Sequence, residues 1–118
     1  MSAKELIHSG QLNLGIELGS TRIKAILIGT DPNEVIAAGS FEWENQLVDG
    51  LWSYPLDQVW QGLKETFADL QKDCERQHGV RVSKLNSLGV SAMMHGYLAF
   101  DSSDELLVPF RTWRNTNT

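Results

Sequence analysis

The chain has 118 residues, 42% hydrophobic and 21% charged, which suits an ordinary folded protein and excludes a disordered or low-complexity chain. A net charge of −5 and a pI near 5.0 argue against a nucleic-acid binder, which would carry a basic face. They do not argue against a phosphorylated ligand, which a few cations and backbone N–H groups can hold inside an acidic protein.

The single cysteine, Cys74, cannot form an internal disulfide, has no metal-ligand spacing and reads as a small core residue. Residues 1–11 are polar and mixed in charge, without the apolar run of a signal peptide, and are expected to be poorly ordered. No segment is apolar for long enough to cross a membrane, so a cytoplasmic location is the default expectation.

Residues 12–18 alternate and then become apolar, predicting a buried strand, and Gly19, Ser20 and Thr21 form a tight polar turn. Residues 23–28 are apolar except for Lys24 and half of them are β-branched, predicting a second strand. Pro32, Asp31 and Asn33 make a turn, the proline by fixing φ and the two polar residues by bonding the local backbone. Residues 34–43 read as a third strand, giving an antiparallel meander, and residues 45–54 as a loop. Pro55 suits the first helical position. Leu56, Val59, Trp60, Leu63, Phe67, Leu70 and Cys74 then recur at helical spacing, with Lys64, Glu65, Asp69, Lys72 and Asp73 on the outward face. Gly79 stops this helix. Residues 85–91 predict a fourth strand, and residues 97–100 and 106–110 a hairpin about the polar turn 101–105.

The order β-β-β-α-β plus a hairpin is that of an α/β, ribonuclease H-like fold in which the fourth strand lies beside the first. That fold would continue with a helix, a strand and a helix. Residues 12–118 are therefore expected to be an incomplete N-terminal part of such a domain, with apolar surface at an unfinished sheet edge.

The first turn carries the most chemical information. Gly19 permits close backbone approach, the N–H groups of a turn can converge on an anion, and Ser20 and Thr21 add hydroxyls. Arg22 or Lys24 adds positive charge, and Glu17 can hold magnesium through water. Taken alone, these residues equally describe an ordinary hairpin turn, with Lys24 a solvated strand residue and Glu17 an edge carboxylate. The turn leads into a strand, so it is no Walker P-loop.

This hairpin, from Ile16 to Lys24, resembles the first phosphate motif of the actin, hexokinase and sugar-kinase superfamily. Within it the chain resembles the FGGY carbohydrate kinases, among them xylulose, ribulose, gluconate and glycerol kinases. Two further stretches share the resemblance: residues 51–60, with Trp52 and Trp60, and residues 88–96 followed by 107–113. The stretch ending Met94-His95-Gly96 is most similar to xylulose kinases.

The resemblance implies an ATP- and magnesium-dependent transfer of a phosphoryl group to a small sugar, a ketose such as xylulose. It assigns ATP phosphates to Gly19, Ser20, Thr21 and Lys24, and the metal, Mg2+, to Glu17, where the family usually has aspartate. Met94, His95 and Trp113 would lie against the sugar, the thioether as an apolar wall and the imidazole as a partner for hydroxyls. Without the resemblance, Met94 and His95 read as core plus a surface histidine. Trp52 and Trp60 read as packing residues, Arg111 and Arg114 as loop cations, and Asn115 stands where the family often has an acid. The family's catalytic base and adenosine pocket lie downstream of residue 118, so the remainder of a parent kinase is the expected partner and the chain alone is expected to be inactive. A non-catalytic nucleotide-binding regulator of the same fold, kept open by Glu17, and an unrelated interaction domain with a self-contained core are the alternatives.

Overall fold

The computed structural model describes residues 2–19, 21–43, 46–48, 51–54, 56–92, 100–105 and 110–111. Strands β1 (Asn13–Leu18) and β2 (Arg22–Ile28) form an antiparallel hairpin, in register from Asn13 opposite Ile28 to Leu18 opposite Ile23. Strand β3 (Val35–Glu42) adds antiparallel to β2, with an irregularity between Leu27 and Ile28. The chain then forms the short hairpin β4 (Gln46–Val48) and β5 (Leu51–Tyr54), crosses the sheet as helix α2 (Leu56–His78) and returns as β6 (Ser87–Ala92). Strand β6 runs parallel to β1, so the main sheet has the order β3-β2-β1-β6. This is the α/β, ribonuclease H-like order expected from the sequence.

Alternation along the strands separates the two faces of the sheet. Leu14, Ile23, Ala25 and Leu27 are buried, while Gly15, Glu17, Arg22 and Lys24 are exposed. One core cluster joins Leu14, Ala25, Leu27 and Ala37 to Leu70 and Cys74 of α2. A second joins Ile23, Trp43 and Val59, with Leu18, Phe41 and Leu63 packed against it, near the β1–β2 turn. Burial pushes the Cys74 thiol pKa up, helped by the neighbouring Asp73 charge, which fits an inert core cysteine.

The helix approaches the sheet through small residues. A Cβ on Gly39 would stand 2.4 Å from both the Leu70 nitrogen and the Thr66 oxygen, so only glycine lets strand and helix backbones meet there. Buried Thr66 satisfies its hydroxyl by donating to the Gly62 carbonyl at 2.6 Å. The C-terminus of α2 closes at Gly79, whose φ is 75°, with its N–H donating to the Glu75 carbonyl.

Several expectations are corrected. Within the segment expected to be poorly ordered lies a helix: α1 (Ala3–Ser9) starts with a capping box between Ser2 and Glu5 and ends at Gly10 in the left-handed region. Its Ile7 is 1% exposed in the main core cluster, and Ala3 and Leu6 pack against that cluster, so docked apolar side chains secure a helix too short to persist alone. The expected loop at 45–54 contains the β4–β5 hairpin. Strand β7 (Phe110–Arg111) pairs with β5; the expected hairpin of 97–100 with 106–110 falls mostly on residues 97–99 and 106–109, which lie outside the described residues. The fourth strand covers 87–92 rather than 85–91.

On α2, Trp60 is 52% exposed instead of packed, because Gly62 and Thr66 occupy the contact face and rotate it away from the purely apolar stripe. Asp69 and Asp73 do not simply face solvent. Asp73 accepts from the Ala38 N–H at 2.9 Å and Asp69 from the Ser40 N–H at 3.0 Å. His78 donates from Nε2 to the Ile36 carbonyl at 2.8 Å. Ile36, Ala38 and Ser40 are alternate residues of β3, the edge strand, so α2 satisfies backbone groups that would otherwise invite another strand. The turn at Asp31 behaves as expected, with Asn33 N–H donating to its carboxylate at 2.9 Å. Apolar surface is open at the other edge, where Leu88 and Val90 of β6 are exposed.

Candidate functional site

The site is assembled where β1 ends, turns and re-enters as β2. Antiparallel register sets Glu17 opposite Lys24, and parallel register sets Glu17 opposite Ser91 of β6. Partners in register point to the same face, so a cation, a carboxylate and a hydroxyl form one row across three strands. The adjacent row is Ile26, Gly15 and Gly89, whose two glycines leave the sheet surface low. Both rows line an open concavity of about 420 Å³, together with Ile16 and Val90.

Charge in this row is uncommitted. Arg22 reaches Glu42 at 3.7 Å in an exposed ion pair, whereas neither Lys24 nor Glu17 has an ion-pair partner among the described residues. Of the two cations that the sequence offered, Lys24 is the one that lines the concavity beside Glu17.

The turn itself is tightly drawn. Gly19 donates its N–H to the Arg22 carbonyl at 2.9 Å, and a Cβ on Gly19 would lie 3.0 Å from that same carbonyl. The Gly19 carbonyl accepts the Trp43 indole N–H at 2.7 Å, and the Thr21 carbonyl accepts the Trp43 backbone N–H at 3.1 Å. Thr21 is exposed, and its own N–H has no acceptor among the described residues. Among the described residues the turn therefore presents the Thr21 N–H and an exposed Thr21 while the Gly19 and Thr21 carbonyls are occupied, a disposition that suits an anion.

Gly19, Thr21, Lys24 and Glu17 are thus brought together at one end of the sheet. Ser20, Met94, His95 and Trp113 lie outside the described residues. Strand β6 ends at Ala92, in register with Leu18 at the end of β1, so the chain leaves both strands at the same sheet end. Sequence reasoning missed Ser91 and Trp43. Parallel pairing of the first and fourth strands would have flagged Ser91. The register of the second hairpin, which puts Glu42 opposite Arg22, would have brought Trp43 back to the turn.

Among the described residues no three His, Cys, Asp or Glu side chains converge on a metal-sized site. A single carboxylate, Glu17, beside an anion-accepting turn fits magnesium, which keeps much of its water and leans on phosphate oxygens rather than on a protein cage.

A ribonuclease H-like sheet with a phosphate-suited turn on its first hairpin defines an α/β domain of the sugar-kinase type. The profile of the FGGY family of carbohydrate kinases, N-terminal domain, matches residues 12–118, and the chain belongs to that family. No curated protein matches the sequence. Among solved structures, a xyloylose kinase from Brucella ovis is similar over 90% of this chain and 22% of its own, with 24% identity and a TM-score of 0.73. A gluconate kinase from Lactobacillus acidophilus is similar over 86% of this chain and 19% of its own, with 22% identity and a TM-score of 0.66. A ligand-bound xylulose kinase from the same organism is similar over 86% and 19%, with 24% identity and a TM-score of 0.64. At such identities the likeness speaks for the fold, and the chain spans about a fifth of the length of these kinases.

Proposed function

We propose that the whole protein carrying this domain transfers the γ-phosphoryl group of ATP to a hydroxyl of a small ketose such as xylulose, and that this chain supplies the phosphate-gripping side of the cleft. The observation that carries the reading is the juxtaposition of an anion-suited turn with Lys24 and Glu17 at the sheet end where β1 and β6 both finish. In phosphoryl transfer the protein mainly positions the reactants and neutralises charge. The Thr21 N–H and hydroxyl would orient phosphate oxygens, Gly19 would let them approach the backbone, and Lys24 would offset their charge. Magnesium, when bound, draws charge from the phosphate oxygens, and Glu17 would hold it through its water shell. By the family resemblance Ser20 joins the phosphate contacts, while Met94, His95 and Trp113 meet the sugar. The same resemblance puts the base that takes the hydroxyl proton downstream of residue 118.

The test is ATP consumption with a panel of ketoses and polyols, run on the whole protein and on the 118-residue chain. Ketose-dependent turnover by the former and none by the latter is expected. Sugar-dependent turnover by the short chain would overturn the division of labour. Glu17, one methylene longer than the usual aspartate, favours a second reading as a nucleotide-binding regulator. Tight ATP binding by the whole protein without turnover of any sugar would select it.

A further inference from the structure

An anion-gripping turn must do two things: expose its N–H groups and keep its carbonyl oxygens away from the incoming negative charge. In the β1–β2 turn both described carbonyls are held by one residue. Trp43, immediately after β3, gives its indole N–H to Gly19 and its backbone N–H to Thr21. It is 3% exposed and packs with Ile23 and Val59, so it lies within the core and not on the ligand face. The Thr21 N–H, in the same turn as these two captured carbonyls, is left without an acceptor among the described residues.

From this arrangement we infer that Trp43 is a positioning residue of the turn: it draws the Gly19 and Thr21 carbonyls toward the protein so that the Thr21 N–H faces the phosphates. The inference rests on the phosphate reading of the turn made above. Trp43 touches no ligand in this account; it acts through the turn. Its placement follows from the sheet, because the register that sets Glu42 opposite Arg22 delivers the next residue to the turn. Its reach follows from its chemistry, because indole is a donor with no acceptor to compete for the turn's N–H groups. Tyrosine would bring an oxygen able to accept as well as donate, and phenylalanine would bring no donor.

The experiment compares three variants of the whole protein by calorimetric binding of magnesium–ATP and, separately, of xylulose. Trp43→Phe keeps a ring in the core and the backbone donation to Thr21, and loses the indole bond to Gly19. Its expected result is ATP affinity lower by about three- to tenfold, the range for one hydrogen bond, with sugar affinity unchanged. Val59→Ala removes core contacts from the same cluster without any bond to the turn. It should lower Tm at least as far and leave ATP affinity within about twofold of wild type, since its cost is cavity formation. Trp43→Phe binding ATP like wild type would overturn the inference, as would Val59→Ala weakening ATP equally. Lys24→Ala separates the two levels of argument. If it weakens ATP while Trp43→Phe does not, the positioning role alone falls; if neither matters, the phosphate reading of the turn falls and takes this inference with it.

Discussion

Replacing Gly39 with alanine should unseat α2 from the sheet, and its cost can be worked from the structure. The added Cβ would stand 2.4 Å from the Leu70 nitrogen and the Thr66 oxygen and 2.9 Å from the Leu70 Cα, where ordinary contact begins near 3.4 Å. All three obstacles are backbone atoms, so no rotamer change relieves them, and helix and strand must separate by about 1 Å to restore normal packing. The same separation stretches the bonds from Ala38 and Ser40 to Asp73 and Asp69, now 2.9 and 3.0 Å, toward the limit of hydrogen bonding. Overpacking alone costs about 1–3 kcal/mol. A weakened, partly buried bond to a charged group adds about 1 kcal/mol or more, so the total is about 3 kcal/mol. Urea unfolding followed by circular dichroism measures it. Gly89→Ala is the matched control, because a Cβ there meets nothing within 4 Å. If Gly39→Ala were no more destabilising than Gly89→Ala, the close approach of α2 to β3 would be refuted.

Asp73 should shape the acid limb of stability. The Ala38 N–H first, then the Gln77 amide and Arg76, hold its carboxyl below the ordinary carboxylate value. A depressed folded pKa gives stability that is present above the unfolded value of about 3.9 and lost as pH falls through the folded one. Asp73→Asn should therefore lower the urea midpoint at neutral pH, and the gap to wild type should close in strong acid; a gap of constant size would exclude the linkage. For α1, Ile7→Ala should cost about 2–4 kcal/mol, the usual loss for a fully buried aliphatic side chain. Limited proteolysis should then cleave within residues 1–11 well before the rest of the chain, and equal resistance of variant and wild type would show that the helix is not docked through Ile7.

Strand order and the long helix were legible in the sequence because each depends on local signals. The meander follows from alternation in residues 12–43, and α2 from a 3.6-residue period that ends at Gly79. The contact face of α2 was misjudged because the pattern was read from large apolar residues, whereas the closest approach is made by Gly62 and Thr66, which carry little hydrophobic signal. The N-terminal helix was missed for a related reason. Its seven residues carry only three apolar side chains, Ala3, Leu6 and Ile7, and its order comes from a cap at each end and their packing on the core. Asp69 and Asp73 looked like a solvated face, since a carboxylate accepting from a strand 29 or 35 residues away leaves no periodic trace. The candidate site was legible as a set of residue types, Glu17, Gly19, Thr21 and Lys24. Its neighbours Ser91 and Trp43 were not, because they arrive by pairing with other strands.

The β1–β2 turn and the remote face of α2 are parts of one mechanical chain. Asp69 and Asp73 fix β3 by its edge N–H groups, His78 fixes it by a carbonyl, and Gly39 sets how near the helix lies. Strand β3 ends at Glu42, and the next residue is the one that grips Gly19 and Thr21. Anything that shifts β3 along its axis or away from β2 must move Trp43 relative to the turn, since Trp43 is held by the core on one side and, through its indole and backbone N–H, by the turn carbonyls on the other. A turn with glycine at its start has little stiffness of its own. Its shape is therefore set from below, by a strand whose far edge is locked to a helix, so a short and intrinsically soft loop is held in one form by the packing beneath it.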